Sequence, residues 1–253
     1  MNRNKYNIDK MISLFETGEA IEFLFFWGHT RKPKEGVEKQ CLSQWYRSGF
    51  KLDGVHYKTS EHWMMAQKAK LFNDLDSFEE IVKSESPKEA KSLGRKIKNF
   101  GPDVWNEYKY KIVIDGNIQK FTQNTELFDY LKSTKGKYLV EASPNDDMWG
   151  IGISDDSNDI DNPYLWKGEN LLGFALMEVR DQLDKLEYFK PLVNPELPPW
   201  IVYPEVEYGD MFWRMGGGED YLDNYFEWYL SLTQTEQEIY KITFPVRNGW
   251  GFY

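Results

Sequence analysis

The sequence predicts an α+β fold: a mainly helical single domain with a few short antiparallel strands, followed by a C-terminal extension. Apolar residues recur with helical spacing in several windows between residues 60 and 189. Strand-like apolar runs are few and short, and one precedes an Asp53-Gly54 pair that favours a hairpin turn. Five prolines between residues 190 and 204 then separate a body, residues 1–189, from an extension, residues 190–253.

The first half of the body contains the predicted strands. Ile21–Trp27 is an apolar, aromatic run closed by Gly28, which is typical of a short buried strand. A second apolar segment, Cys41–Phe50, leads to the hairpin turn, and Val55–Lys58 is the expected return strand.

Helices dominate the rest of the body. Thr59 or Ser60 is a suitable N-cap for a helix that reaches about Phe72. The other expected helices are Phe78–Lys83, Pro87–Lys98 after a cap at Ser86, Val104 to about Leu131 with a break near Gly116, and Leu171 to about Phe189. A short strand, Tyr138–Glu141, lies between the last two.

The extension contains two helical patterns, Glu219–Leu230 and Thr235–Ile242. Its prolines and aromatic residues predict a surface strap packed on the domain, and the alternative is a lid or a partner-binding site.

The charge balance excludes some function classes. The chain has 253 residues, with 31 Lys and Arg against 41 Asp and Glu. The extension alone holds ten acidic and four basic residues, so the body is nearly balanced. Net acidity argues against a broad nucleic-acid groove, although it leaves room for a small anion pocket.

The single cysteine, Cys41, excludes an intramolecular disulfide framework and a multi-thiolate metal site. No signal peptide or membrane-spanning apolar run is visible, so we expect a cytoplasmic protein that does not enter a membrane.

The start of the helix after Thr59 is the first candidate site. Glu61 lies in the first helical turn, where the helix dipole favours a carboxylate, and Lys68 follows two turns later on the same face. The alternative is an ordinary glutamate at a helix start, and His62 is expected to be a packed or capping residue.

The turn after the short strand is the second candidate. Glu141 to Gly152 combines acids, a Trp at position 149 and two glycines that allow a ligand to approach the backbone. A simple turn with a packed Trp149 is the alternative.

The third candidate is the stretch Lys88–Lys120, which holds eight basic and four acidic residues. In an acidic protein this is the best place to bind phosphate, and a solvated helix face is the alternative.

Together these segments resemble the NADAR family, also called YbiA-like, over about residues 23–183. Four blocks carry the resemblance, and their order and spacing make it specific. They are Ser60-Glu61-His62-Trp63 with Ala66-Gln67-Lys68-Ala69; Trp105 with Lys120-Phe121-x-Gln123-Asn124; Leu139-Val140-Glu141-Ala142-Ser143-Pro144-x-Asp146-x-x-Trp149-Gly150-x-Gly152; and Gly168-x-Asn170-Leu171-Leu172-Gly173-x-x-Leu176-Met177-x-x-Arg180. The sequence departs from the family pattern in two places: the run Phe25–His29, and Asp147.

The resemblance implies an N-glycoside hydrolase with Glu61 and Asp146 as catalytic residues. Glu61 would stabilise the oxocarbenium-like ribose and activate water, while Asp146 would hold ribose hydroxyls or the water. The expected substrate-binding residues are Trp27, Gly28 and His29 at the entrance, Lys68, Arg95 and Lys120 for phosphates, Trp105 and Trp149 for stacking, and Gln123 and Gly150. No metal or cofactor is implied.

Three functions remain open. The first is removal of ADP-ribose from guanine in a nucleotide or nucleic acid, as in toxin reversal or phage conflict. The second is cleavage of a ribosylamino-pyrimidine phosphate from riboflavin synthesis. The third is non-catalytic binding of ADP-ribose or an NAD-derived signal. The cations of the third candidate favour the first function.

Overall fold

The computed structural model describes residues 4–30, 36–188, 196–247 and 249–251. The chain divides into two compact units, Met1–Leu183 and Asp184–Tyr253. The predicted start of the extension, including Pro191 and Pro195, lies outside the described residues.

Helices form most of the first unit, which confirms the mainly helical α+β class. The helices are α1 Ile8–Glu16, α2 Ser60–Leu71, α3 Leu75–Lys83, α4 Pro87–Gly94, α5 Pro102–Thr122, α6 Thr125–Ser133 and α7 Leu171–Tyr188, the last of which runs past Leu183. The strands are β1 Phe23–Phe26, β2 Phe50–Leu52, β3 Val55–Tyr57 and β4 Tyr138–Glu141.

The strands form two separate pairs. β2 and β3 are antiparallel, as a two-residue connection requires, and their turn residues Asp53 and Gly54 both have positive φ (50° and 74°). This confirms the predicted hairpin. β1 and β4 are parallel, which corrects the expectation of antiparallel strands only. Residues 27–137 connect them, and a connection of that length with its helices allows a parallel crossover.

Helix α2 is central to the first unit and packs against α3, α4 and α5. It begins after Thr59, whose side chain accepts a hydrogen bond from the His62 N–H, as the sequence predicts. His62 is buried and its Nε2 lies 3.2 Å from the Ser84 carbonyl, in agreement with a packed histidine. The first two turns of α2 are buried on nearly every side, so Glu61 is removed from bulk solvent.

Gly116 does not break a helix, and this prediction was wrong. α5 continues through it, and the chain turns instead at Gln123 and Asn124 before α6 begins. A Cβ at position 116 would lie 2.2 Å from Cδ1 of Trp63. Gly116 therefore permits close packing of α5 on α2 instead of interrupting the helix.

Two other helices differ from expectation. α4 begins after Ser86 as predicted but ends at Gly94, four residues before Lys98. α1 was not predicted, and it begins after Asn7, whose side chain accepts a hydrogen bond from the Lys10 N–H.

The second unit is a small helical unit with an aromatic interior. Its helices are α8 Pro199–Val202, α9 Gly217–Ser231 and α10 Gln234–Thr243, so a helical turn interrupts the stretch predicted to be an extended strap. One cluster packs Trp200, Trp213 and Trp250, and a second packs Tyr225, Tyr229 and Tyr240. Within the described ranges of the chain, no helix is both long and apolar enough to cross a membrane.

Candidate active site

The carboxyl ends of β1 and β4 lie at the same edge of their parallel pair. Phe26 is opposite Glu141, and the Ala142 N–H donates to the Phe26 carbonyl at 2.9 Å. Trp27 and Gly28 leave this edge from β1, while the acidic turn leaves it from β4. Edges of this kind commonly bind ligands because two loops diverge there.

Glu61 enters this region from the first turn of α2. Its backbone N–H donates to the Gln44 carbonyl at 3.0 Å, and its side chain is only 2% exposed. Burial raises the pKa of its carboxyl to about 7, while the Lys91 charge and a hydrogen bond from Trp45 act in the opposite direction. Its Oε1 is buried without a hydrogen-bond partner among the described residues, which marks a polar atom available to a ligand.

Asp146 is positioned by its own turn. Its Oδ1 accepts hydrogen bonds from the Met148 N–H at 3.2 Å and the Trp149 N–H at 2.8 Å. Its Oδ2 lies 3.8 Å from Nζ of Lys91. One oxygen therefore holds the turn, and the other faces the Lys91 ammonium.

Glycine allows this turn to close tightly. A Cβ on Gly150 would lie 2.8 Å from the Glu141 carbonyl oxygen and 3.0 Å from that of Asp146. The Gly150 carbonyl in turn accepts from the Asn170 N–H at 3.1 Å, so the turn is tied to the start of α7.

Trp45 joins the entrance to the carboxyl groups. Its ring packs against His29 with centroids 5.5 Å apart, and Nζ of Lys91 lies 5.9 Å from the ring centroid. The same side chain lies close enough to Glu61 to lower the pKa of its carboxyl. His29 is thus beside the site, and Trp27 is 48% exposed two residues before it.

A basic and aromatic patch continues from the carboxyl groups along the ends of α2 and α4. Lys68 donates to the Gly94 carbonyl at 2.9 Å and lies 4.2 Å from the Phe100 ring centroid and 5.4 Å from that of Trp105. Arg95 follows Gly94 and is close enough to Glu61 to affect its pKa. We call Lys68, Arg95, Phe100 and Trp105 the cationic patch. It offers charge for an anion and the partly exposed Phe100 ring for stacking.

Two predicted substrate-binding residues have other contacts. Lys120 is fully buried, and its ammonium donates to the Ser43 carbonyl at 2.9 Å, so it is not placed to hold a phosphate. Gln123 donates to the Lys51 carbonyl at 2.8 Å and accepts from the Lys51 N–H at 2.9 Å, which ties α5 to the hairpin. These contacts favour structural roles for both residues.

Three residues of the site were missed: Trp45, Lys91 and Glu141. Lys91 was noticed only as one of eight cations, and Glu141 only as part of a motif. Trp45 had no local signal, since an aromatic residue in an irregular apolar segment is usually core. Their shared proximity to Glu61 is a property of the tertiary structure.

Residues 25–184 match the family model described as the NADAR domain. The protein named N-glycosidase R617 of Acanthamoeba polyphaga mimivirus is 39% identical over 169 residues, which span 65% of this chain and 98% of that protein. N-glycosidase YbiA of Escherichia coli K12 is 36% identical over 133 residues, or 53% of this chain and 74% of that protein. The NMR structure of E. coli YbiA matches with a TM-score of 0.54 and 29% identity, covering 66% of this chain and 88% of that one. The maize protein named Riboflavin biosynthesis protein PYRR, chloroplastic, is 31% identical over 138 residues, or 52% of this chain and 20% of that protein.

Proposed function

The chain belongs to the NADAR domain family, and from that premise we propose that it is an N-glycosidase that releases ADP-ribose from guanine bases. The relatives R617 and YbiA are both named N-glycosidases, so the reaction class is hydrolysis of an N-glycosidic bond. The observation that carries the proposal is buried Glu61, one of whose oxygens has no partner in the described part of the chain, beside Asp146 and near the cationic patch.

Glu61 supports the chemistry at the anomeric carbon. Cleavage of the C–N bond develops positive charge on the ribose ring, and a carboxylate in a low-dielectric pocket stabilises that charge. The pKa of about 7 keeps a substantial fraction of Glu61 ionised near neutral pH, and it also lets this group accept a proton from the attacking water.

Asp146 supports substrate orientation. Its Oδ1 is occupied by two backbone N–H groups, so the carboxylate cannot turn away from the site. Its Oδ2, opposite Lys91, is the oxygen available to ribose hydroxyls or to the water.

The cationic patch favours an ADP-ribose substrate over a monophosphate. Arg95 is close enough to Glu61 to affect its pKa, Lys68 donates to the carbonyl of Gly94 next to Arg95, and Phe100 lies against Lys68. A diphosphate attached to the ribose would follow these two cations, and an adenine would reach an aromatic ring. Buried Lys120 does not belong to this set. The positions of Arg95 and Lys68, and not the number of cations, therefore favour ADP-ribose.

Cleavage of a ribosylamino-pyrimidine phosphate is the second candidate, and one observation favours it. The maize relative PYRR has a name that places it in riboflavin biosynthesis. The same Glu61 and Asp146 would act on this substrate, but Phe100 would have no adenine to contact. A non-catalytic binder is a weaker third candidate because binding alone does not need a buried carboxyl oxygen that lacks a partner among the described residues.

A substrate panel followed by mass spectrometry tests the proposal. It contains ADP-ribosylated guanosine, guanine-modified DNA and the ribosylamino-pyrimidine phosphate. We expect release of ADP-ribose from a guanine substrate, and we expect Glu61→Gln to lower kcat by about 100- to 10,000-fold while the fold is retained.

Glu22→Gln is the matched control, because this glutamate lies just before β1 with its side chain 67% exposed and paired with Lys137. It should turn over like the wild type. Near wild-type turnover by Glu61→Gln would contradict the assignment. Tight ADP-ribose binding by calorimetry, with no product from any substrate, would favour the non-catalytic binder.

A further inference from the structure

Glu141 has a backbone position that is held from three sides. Its N–H donates to Oδ1 of Asn170 at 3.0 Å, and its carbonyl accepts from the Ile151 N–H at 2.9 Å. Gly150 packs so closely that a Cβ there would lie 2.8 Å from the same carbonyl. A last residue of a strand that is fixed in this way can present its side chain with little positional freedom.

The carboxyl group of Glu141 lies in the same cluster as the two proposed catalytic acids. The charged groups that act on it are Glu61 from α2, Lys91 from α4 and Asp146 from the turn, and Arg95 acts on the cluster through Glu61. Its Oε2 is buried, and no residue in the described part of the chain bonds to it. A buried polar oxygen without a partner is costly unless a ligand uses it.

The two glutamates of the cluster differ in pKa. Burial, together with the negative charges of Asp146 and Glu61, raises the pKa of Glu141 to about 8, whereas the pKa of Glu61 is about 7; Lys91 acts on both in the opposite direction. Glu141 is therefore mostly a neutral acid with an O–H to donate, whereas Asp146 faces the Lys91 ammonium as an ion pair. Acids held in different states in one site commonly divide the roles of proton donor and acceptor.

We infer that Glu141 is a further catalytic residue that protonates the leaving nitrogen of the N-glycoside. The inference rests on the proposed function, in which Glu61 and Asp146 act on the ribose and the water. The C–N bond breaks with its electron pair going to nitrogen, and the Glu141 O–H gives its proton to that nitrogen. Water forms the new bond to the anomeric carbon and gives its proton to the Glu61 carboxylate, so the products are the free base and the free sugar hydroxyl.

The test compares Glu141→Gln, Glu141→Asp and the control Glu22→Gln on whichever panel substrate the wild type hydrolyses, as kcat against pH. A proton donor must be protonated, so wild-type kcat should fall as pH rises through the pKa of Glu141. Glutamine preserves the shape but has no acidic proton. We expect kcat to fall by about 100- to 10,000-fold in Glu141→Gln, with loss of the alkaline limb. Glu141→Asp should recover part of the rate with a displaced alkaline limb, and Glu22→Gln should match the wild type.

Infrared difference spectra of the substrate-free protein give a second measurement. At neutral pH the wild type should show a protonated-carboxyl band that Glu141→Gln lacks and that disappears at alkaline pH. Wild-type kcat and an unchanged alkaline limb in Glu141→Gln would overturn the inference. Absence of that band would also overturn it, since Glu141 would then hold no proton to give.

The outcomes separate this inference from the proposed function. If the wild type hydrolyses a panel substrate and Glu61→Gln does not, while Glu141→Gln is fully active, only the role of Glu141 fails. If the wild type hydrolyses no substrate of the panel, the proposed function fails and the role of Glu141 fails with it.

Discussion

The two compact units bury different kinds of side chain. The first unit buries charged groups, including Glu61 at 2% exposure, Lys120 and Arg180. In the described part of the second unit, every buried residue is a proline, a glycine, a tryptophan or a tyrosine. Burying aromatic rings stabilises a fold, whereas burying ionisable groups costs free energy unless they are paired. The comparison indicates that the first unit gives up stability at Glu61, the proposed catalytic acid, whereas buried Lys120 and Arg180 donate to backbone carbonyls.

The largest expected effect on stability lies in the aromatic interior of the second unit. Trp213 is 6% exposed, contacts Tyr203, Phe212 and Trp250, and donates through Nε1 to the Glu207 carbonyl at 2.8 Å. Trp213→Ala should lower the unfolding free energy of this unit by about 3–5 kcal/mol. Hydrogen exchange followed by mass spectrometry, resolved for each unit, measures the loss.

Trp213→Phe keeps a ring at the same position and should cost clearly less than the alanine variant. Unchanged exchange protection of residues 196–247 in Trp213→Ala would contradict the view that buried aromatic rings stabilise the second unit, because the aromatic cluster would then contribute little to stability.

The second effect concerns the buried acid of the first unit and depends on pH. The pKa of Glu61 is raised from 4.5 in the unfolded chain to about 7 in the folded one, so the folded state binds more protons between these values. Its contribution is therefore fully present below about pH 4.5 and is lost as pH rises through about 7.

Glu61→Gln removes this dependence. We expect its unfolding free energy, relative to the wild type, to increase by roughly 3 kcal/mol between pH 4.5 and pH 8. Denaturant unfolding at a series of pH values gives this difference, with Glu22→Gln as the control that should show none. A difference that stays constant with pH would mean that Glu61 titrates normally and that its burial has no cost.

The smallest effect compares one glycine from each unit. Alanine usually stabilises a helix relative to glycine by about 1 kcal/mol. Gly116→Ala should nevertheless destabilise α5 by about 1–3 kcal/mol, because the added Cβ meets the Trp63 ring. Gly217→Ala, at the first residue of α9, meets nothing within 4 Å and should be neutral or slightly stabilising.

Thermal unfolding of the two glycine variants measures whether alanine destabilises the protein at position 116 but not at position 217. Equal effects at the two positions would show that helix propensity, and not packing against Trp63, decides the role of Gly116.

Local features of the fold were predictable because a few adjacent residues decide them. The hairpin needs positive φ at two consecutive positions, which Asp53 and Gly54 tolerate. The start of α2 needs an oxygen that accepts an N–H of the first turn, and Thr59 supplies it. A glycine within a helical pattern also indicates a helix break. Only the close contact with Trp63 shows that Gly116 permits packing of α5 on α2 instead.

The candidate site was predictable in part. Glu61 and Asp146 were found from the helix-start signal, the turn and the resemblance to the family. Lys120 was expected at the ligand and is buried against Ser43, because charge in a sequence does not indicate the direction of a side chain. Trp45 comes from a segment with no local sign of function, and Lys91 was only one of eight cations in the third candidate stretch.

The sequence by itself determined the family, the reaction class that the family implies, and local elements such as the hairpin and the start of α2, since these depend on short motifs and on residues close in the chain. Only the tertiary structure decided that β1 and β4 are parallel, so that Glu141 lies at the edge from which Trp27 leaves. It also decided that Glu141 and Glu61 share one buried cluster with Lys91. The physical reason is that burial and long-range charge interactions set the protonation of these acids, and both depend on residues far apart in the chain.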